Sequence, residues 1–236
     1  MTAGWRTAVD RFWAAELGVE VGAFARAGLQ VLERDADGVG ARIVFVGTPV
    51  TTVVSITRGD RPRFEATGLR VEALGPSPRS AVAALADTPS LDVRGPAYLG
   101  CWTRPAAPPA PPDVRRLDPT TERAALAALR ETASDEWEEA GLDAAAVLFG
   151  IREDDALVAV AGYERWASLA HLQVFTHPRA RRRGLARAVL AAAIGHARAA
   201  WLLPQYRARD SNVASRAVAE RMGFEEYGWM ATIRPR

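Results

Sequence analysis

The chain contains no lysine; all 30 of its cationic side chains are arginine. That excludes a Schiff-base lysine and a lysine general base, because the guanidinium stays protonated under ordinary conditions. A single cysteine, Cys101, excludes an internal disulfide and a cysteine-only metal cluster. It reads as a small buried hydrophobe. No apolar run approaches the roughly 20 residues that a membrane helix needs. The opening stretch MTAGWRTAVDRFWAAELG carries Asp10 and Glu16 and lacks the apolar core of a signal peptide. These absences predict a cytoplasmic protein without a membrane partner. Net charge is only +2, which gives no general affinity for polyanions. The three histidines, His171, His177 and His196, lie in different elements, and no metal-ligand spacing is visible, so no metal is expected.

What is present divides the chain. Five prolines fall within residues 105–112, which excludes a helix or a central strand there. The segment reads as a semi-rigid spacer between a first domain, 1–104, and a second, 113–236. The first reads as a small α/β unit, with a helix over 3–17 and strands at ARIVFVG, TTVVSI and PAYLGCW. A turn is expected at Gly47-Thr48-Pro49 and a short helix from Ser80 to Ala86. Trp5, Trp13 and Trp102 read as core or interface. No catalytic motif is visible in this domain.

The second domain reads as a mixed α/β fold. VRRLDP is a short strand, and Thr120 to Leu129 a helix that Thr120 or Thr121 can cap. Ser134 to Ala140 is a short acidic helix or turn. AVLFGIRED and ALVAVAGYERW are strands joined at Asp154-Asp155, and SLAHLQVFTHP is a strand ended by Pro178. Gly184 to Ala200 is a long alanine-rich helix and LLPQYRARD a strand. Val213 to Met222 is a helix capped by Ser211 or Asn212 and closed by Gly223. EEYGWMATIRPR forms one strand or two. Charge is uneven here. Asp113 to Glu164 carries 13 acids and 5 arginines, a net of −8, and Arg165 to Arg236 carries 4 acids and 13 arginines, a net of +9. The two halves could bind a cation and an anion, or neutralise each other across a packed interface.

The stretch HPRARRRGLARAV, 177–189, decides among functions. Arg179, Arg181, Arg182 and Arg183 crowd five positions, and Gly184 follows. The stretch reads as a nucleic-acid patch, a solvated run or a phosphate cradle. The nucleic-acid reading lacks interleaved aromatics and a strongly basic chain, so no nucleic-acid partner is expected. The setting is strand, turn, helix, and a helix N-terminus offers unpaired N–H groups and a positive dipole end to a phosphate. Gly184 and the small Ala186 permit close approach.

Arg181 to Ala186, R-R-R-G-L-A, resembles the Q/R-x-x-G-x-G/A signature of the GNAT superfamily of N-acetyltransferases. N-V-A-S-R-A-V-A-E-R-M-G-F, 212–224, is similar to the family's later motif, so the resemblance covers about 113–236. It implies a GNAT fold with a mixed, mostly antiparallel sheet and acetyl-CoA as cofactor. It further implies that Val174, Phe175 and Thr176 pair with the pantetheine as an added strand. Amides around Arg181, Arg182, Arg183, Gly184, Leu185, Ala186 and Arg187 would hold the pyrophosphate. Asn212 and Ser215 would face the thiol side, and an arginine at 179, 181, 182 or 216 would reach the 3′-phosphate.

The family's reaction is direct transfer of the acetyl group to an amine, here of a small molecule or amino-acid-like acceptor. A strand N–H near Phe175 or Thr176 would polarise the carbonyl. His171 is a candidate base, as are Glu138 and Glu139 in SDEWEEAGL; a structural histidine and an exposed acidic face are the competing readings. Asp135, Glu136, Glu138 and Glu139 could also orient a cationic amine, with Trp137 stacked on it. Gln205 and Arg207 alternate along their strand and could line the acceptor groove. Many family members place a tyrosine acid seven residues after the asparagine, where this chain has Ala219. Tyr227 is the first substitute, with Tyr206, Ser211 or water as others. That departure keeps a weak acyl-CoA binder or sensor as the alternative function. The first domain would cover the acceptor side or form a degenerate half-copy of the same fold.

Overall fold

The computed structural model describes residues 3–35, 42–75 and 77–236. Ala41, which opens the expected strand ARIVFVG, lies outside the described residues, as do Met1 and Thr2. The helices are α1 (Ala3–Leu17), α2 (Arg61–Glu65), α3 (Pro78–Ala84), α4 (Arg123–Glu131), α5 (Ser134–Ala140), α6 (Leu185–Ala199) and α7 (Val213–Met222). The strands are β1 (Gly28–Arg34), β2 (Ile43–Gly47), β3 (Thr51–Thr57), β4 (Leu91–Cys101), β5 (Arg115–Leu117), β6 (Val147–Glu153), β7 (Ala156–Trp166), β8 (Leu169–Thr176), β9 (Leu203–Arg209) and β10 (Glu225–Pro235). No described helix is long and apolar enough to cross a membrane.

The chain forms two compact units, and both are discontinuous. One comprises Met1–Gly100, Arg207–Arg216 and Glu226–Arg236; the other comprises Cys101–Tyr206 and Ala217–Glu225. A boundary at 105–112 was expected, with everything after it in one domain. Instead, two late segments count with the first unit. The reason is pairing: β10 lies beside β2, with Trp229–Ile233 antiparallel to Gly47–Ile43. Proline content marks where regular structure stops, and it carries no information about where a later strand returns.

In the first unit the strand order is β1-β3-β2-β10-β4. β1 and β3 are parallel, and β2 runs antiparallel to β3. β3 is buried along its whole length, as its run of β-branched residues predicts. Ile43, Phe45, Val54, Ile56, Trp229 and Ile233 form the core with Phe64 from α2 and Val82 from α3. Burying each such side chain contributes about 1.5–3 kcal/mol. Gly47 is required here: a Cβ would strike the Trp229 indole. Trp13 and Cys101 are buried, as expected, and β1 is an element that the sequence reading missed.

In the second unit the order is β9-β8-β7-β6-β5. β5 to β8 are antiparallel neighbours, and β9 is parallel to β8 after the α6 crossover. The turn at Asp154-Asp155 has both φ angles positive, 48° and 62°, as a two-residue hairpin loop demands. Alternation along the strands sends the two faces to different partners. Tyr163 and Phe149 meet His196 of α6. Val160, Leu148 and Phe175 pack with Leu129 of α4 and Trp137 of α5. Two local expectations change. α4 starts at Arg123 with Glu122 before it, and neither threonine caps it. Thr120 N–H and Thr121 Oγ1 both bond to Asp118, so they fold the turn that precedes the helix. β10 is one strand.

Candidate functional site

β8 is paired on both sides along only half its length. Leu169–Leu172 match Leu203–Tyr206 of β9 in parallel register. Gln173–Thr176 continue beside β7, yet among the described residues no strand pairs with their other edge. An open edge leaves backbone N–H and C=O groups available to an added extended chain. The strand then ends at Pro178, and a single 3-10 turn, Pro178–Ala180, leads into the loop. His177 caps that turn: its Nδ1 accepts from the Arg179 amide at 3.1 Å. Burial, and then Arg179 and Arg181 nearby, lower the His177 pKa, consistent with an unprotonated Nδ1.

The loop delivers a row of free donors. Among the described residues, the amides from Arg182 to Arg187 bond to no protein acceptor; the first α6 bond runs from Ala188 N to Gly184 O. Arg182 (φ 64°) and Gly184 (φ 84°) both adopt left-handed backbone, which curls successive amides toward one side. The arginines divide into two sets. Arg181 donates to Glu136 of α5 at 2.8 Å and to the Thr176 carbonyl at 3.3 Å. Arg183 holds Glu153 with two bonds of 2.6 and 2.9 Å. Both pairs are exposed and add little to stability, but they fix the loop against α5 and β6. Arg179, Arg182 and Arg187 have no carboxylate partner among the described residues.

Beyond the open edge, on the face that α4 and α5 cover, lies a polar row. His171 is 5% exposed and stacks on Trp166, ring centroids 4.0 Å apart at 11°. Glu164 of β7 stands directly opposite His171, and Gln205 of β9 is its register partner on the other side. Glu164 was missed in the sequence. The signal was there: the turn at Ala167-Ser168 sets the hairpin register, and that register pairs 164 with 171.

Residues 113–224 match the model of the acetyltransferase (GNAT) family. A putative GNAT acetyltransferase from Novosphingobium aromaticivorans is similar over 63% of this chain and 69% of that one, at 25% identity and a TM-score of 0.51. An aminoglycoside N-acetyltransferase solved with CoA is 21% identical over 49% of this chain and 92% of its own, with a TM-score of 0.40. The ribosomal-protein-S18-alanine N-acetyltransferase from Escherichia coli is 20% identical over 51% of this chain and 89% of its own, also at 0.40. No curated protein matches the chain.

The matched segment fits the cofactor that the GNAT family implies. The free edge at Val174, Phe175 and Thr176 suits an amide-bearing arm, and the orphan amides of Arg182, Arg183, Gly184, Leu185, Ala186 and Arg187 suit a pyrophosphate. Arg181 differs from expectation: its side chain and its amide both bond within the protein, so it braces the loop. Arg216 is likewise engaged, with Asp210, Glu226 and the Tyr98 ring.

Each expected catalytic residue has local partners of its own. Glu138 and Glu139 are exposed on α5, and Glu138 pairs with Arg130 at 3.1 Å. Trp137 is no platform for an amine: it is buried against Phe175, and its indole N–H donates to Asp143 at 2.9 Å. As the largest apolar group on a helix of acids, it is the side chain that the core takes. Tyr227 counts with the first unit, where its hydroxyl donates to Asp10 at 2.7 Å. Burial raises the Asp10 pKa against the opposing effects of Tyr227 and Arg6. Asn212, the chain's one asparagine, caps α7 by accepting from Ser215 N at 3.0 Å. Ala219 is fully buried, and its carbonyl closes α7 at Gly223 and Phe224.

Proposed function

We propose that the protein is an acetyl-CoA-dependent N-acetyltransferase that acetylates a primary amine of a small molecule or amino-acid-like acceptor. One observation carries this reading: the β8 edge opens at Gln173, and after the single turn at Pro178–Ala180 the chain presents six unpartnered amides at the start of α6. Bound acetyl-CoA supplies an activated acyl carbon on a good leaving group. The chain's part is to bind, orient and move protons. Val174 and Thr176, whose backbone groups face away from β7, hold an extended arm by hydrogen bonds, and Phe175 between them spends its own backbone groups on β7. The amides from Arg182 to Arg187 and the uncommitted guanidinium groups of Arg179, Arg182 and Arg187 offset phosphate charge. A β8 amide near Phe175 polarises the carbonyl.

His171 is the base that best fits the geometry, because it lies where the strands part and the Trp166 ring restricts its orientation. It takes the proton of the acceptor amine. Glu138 and Glu139 remain secondary candidates that would attract the amine toward α5. Tyr227 is the proposed proton donor to the leaving thiolate, a role that requires release of Asp10. A second reading, a weak acyl-CoA binder, is favoured by the buried Ala219 in the position where the family's acid often stands. Calorimetry with acetyl-CoA tests both readings, and absence of binding sinks both. Steady release of free thiol with a panel of amines supports the enzyme; binding without release supports the second reading.

A further inference from the structure

Two buried amide side chains of the GNAT segment have no part in the steps above. Gln205 is 0% exposed, and neither its Oε1 nor its Nε2 meets a hydrogen-bond partner among the described residues. Gln173 is 4% exposed, and its Oε1 also lacks a partner. An amide withdrawn from water without replacement bonds is costly, and buried polar groups are as a rule matched by something.

Their placement says where the match would come from. Gln205 is level with His171, and Gln173 lies two residues further along β8, so all three side chains leave the sheet on one face. Gln173 is also the first β8 residue past the last pair with β9, so the two amides flank the point where the strands part. Glu164 completes the row from β7. It is half-buried and has no cationic partner among the described residues. The row of 164, 171, 173 and 205 therefore holds one carboxylate, one imidazole and two neutral amides; Arg207, two residues past Gln205 on the same face of β9, is exposed at its end and already engaged with the protein.

We propose that this row is the acceptor subsite, and that the acceptor carries a carboxamide or peptide group next to its amine. Glu164 holds the ammonium form before the proton leaves. The carboxamide offers N–H donors and a carbonyl oxygen, which complement Gln173 and Gln205. A carboxylate in its place would sit beside Glu164 with no guanidinium in the row to balance it. A plain alkylamine would leave both glutamines unmatched, the kind of omission against which hydrogen-bonding sites discriminate strongly. This inference rests on the acetyltransferase reading and narrows its acceptor to amino-acid amides and peptide-like amines.

The test is calorimetric, on the full chain saturated with CoA, which has no acetyl group to transfer. Alaninamide, leucinamide and phenylalaninamide are each titrated beside the free amino acid and the amine that lacks the carbonyl. At least one amide is expected to bind about tenfold or more tightly than both counterparts, a step of ~1.4 kcal/mol. Gln205→Leu is expected to reduce that preference to within about threefold. Gln173→Met supplies the same comparison if Gln205→Leu does not fold, and CoA titration of each variant reports an intact loop. Equal binding of amide and amine, or a preference that survives both substitutions, overturns the inference and leaves the acetyltransferase reading standing. Failure of CoA itself to bind overturns that reading, and this inference with it.

Discussion

The two halves of β8 differ in one respect, and much follows from it. Leu169–Leu172 are held by β7 on one side and β9 on the other, while Gln173–Thr176 are held by β7 alone. The doubly paired half is rigid, and it carries His171 between Glu164 and Gln205. The singly paired half offers backbone, and it leads to the loop whose amides are unspent. Chemistry that needs a fixed side chain lies on the first half, and binding that needs free N–H and C=O groups lies on the second. The loop arginines repeat the contrast: Arg181 and Arg183 are tied to carboxylates, and Arg179, Arg182 and Arg187 are not.

Substitutions should separate the two halves. The largest effect is expected from His171→Ala, which should lower kcat by about 10²–10⁴ and leave acetyl-CoA affinity within about threefold. The acidic limb of the pH–rate profile should change with it, and comparable loss of acetyl-CoA affinity would break the division. Gly184→Glu should do the reverse. It places a side chain at φ 84° and a negative charge among the amides, so affinity should fall by about 100-fold, ~2.7 kcal/mol. Circular dichroism checks that the fold persists.

The arginine contrast gives a smaller effect. Arg182→Gly keeps the left-handed backbone and removes an uncommitted cation, so affinity should fall about tenfold, most clearly at low salt. Arg183→Ala removes a cation already held by Glu153 and should change affinity less than threefold. Equal losses would mean that the Glu153 pair opens for the ligand. The smallest effect concerns pH and stability. Burial lowers the pKa of both His177 and His196 from the ordinary 6.5. Below that value the unfolded chain binds more protons than the folded one, so stability should fall as pH drops and stay flat above about pH 7. A melting temperature that rises on acidification would contradict this.

Much of the local structure was legible in advance. Asn212 caps α7 and Gly223, at φ 87°, closes it; α5 and α7 have the boundaries expected of them. The mistaken cap of α4 is instructive, because Thr120 and Thr121 have the right chemistry but bond to Asp118 one turn too early. Trp137 shows the other limit: its company of acids suggested an exposed platform, and packing put it in the core.

The sequence by itself determined the strand–turn–helix of 169–199, the glycine at 184 that opens α6 and the resemblance of residues 113–224 to one family. Those depend on caps, glycine freedom and side-chain period, each set by a few neighbouring residues. Only the tertiary structure decided that β9 leaves β8 after Tyr206, that Glu164 faces His171, and that the last strand returns beside β2. Strand register and strand partners are contacts between residues far apart in the chain, and their energies lie in packing that no short stretch contains.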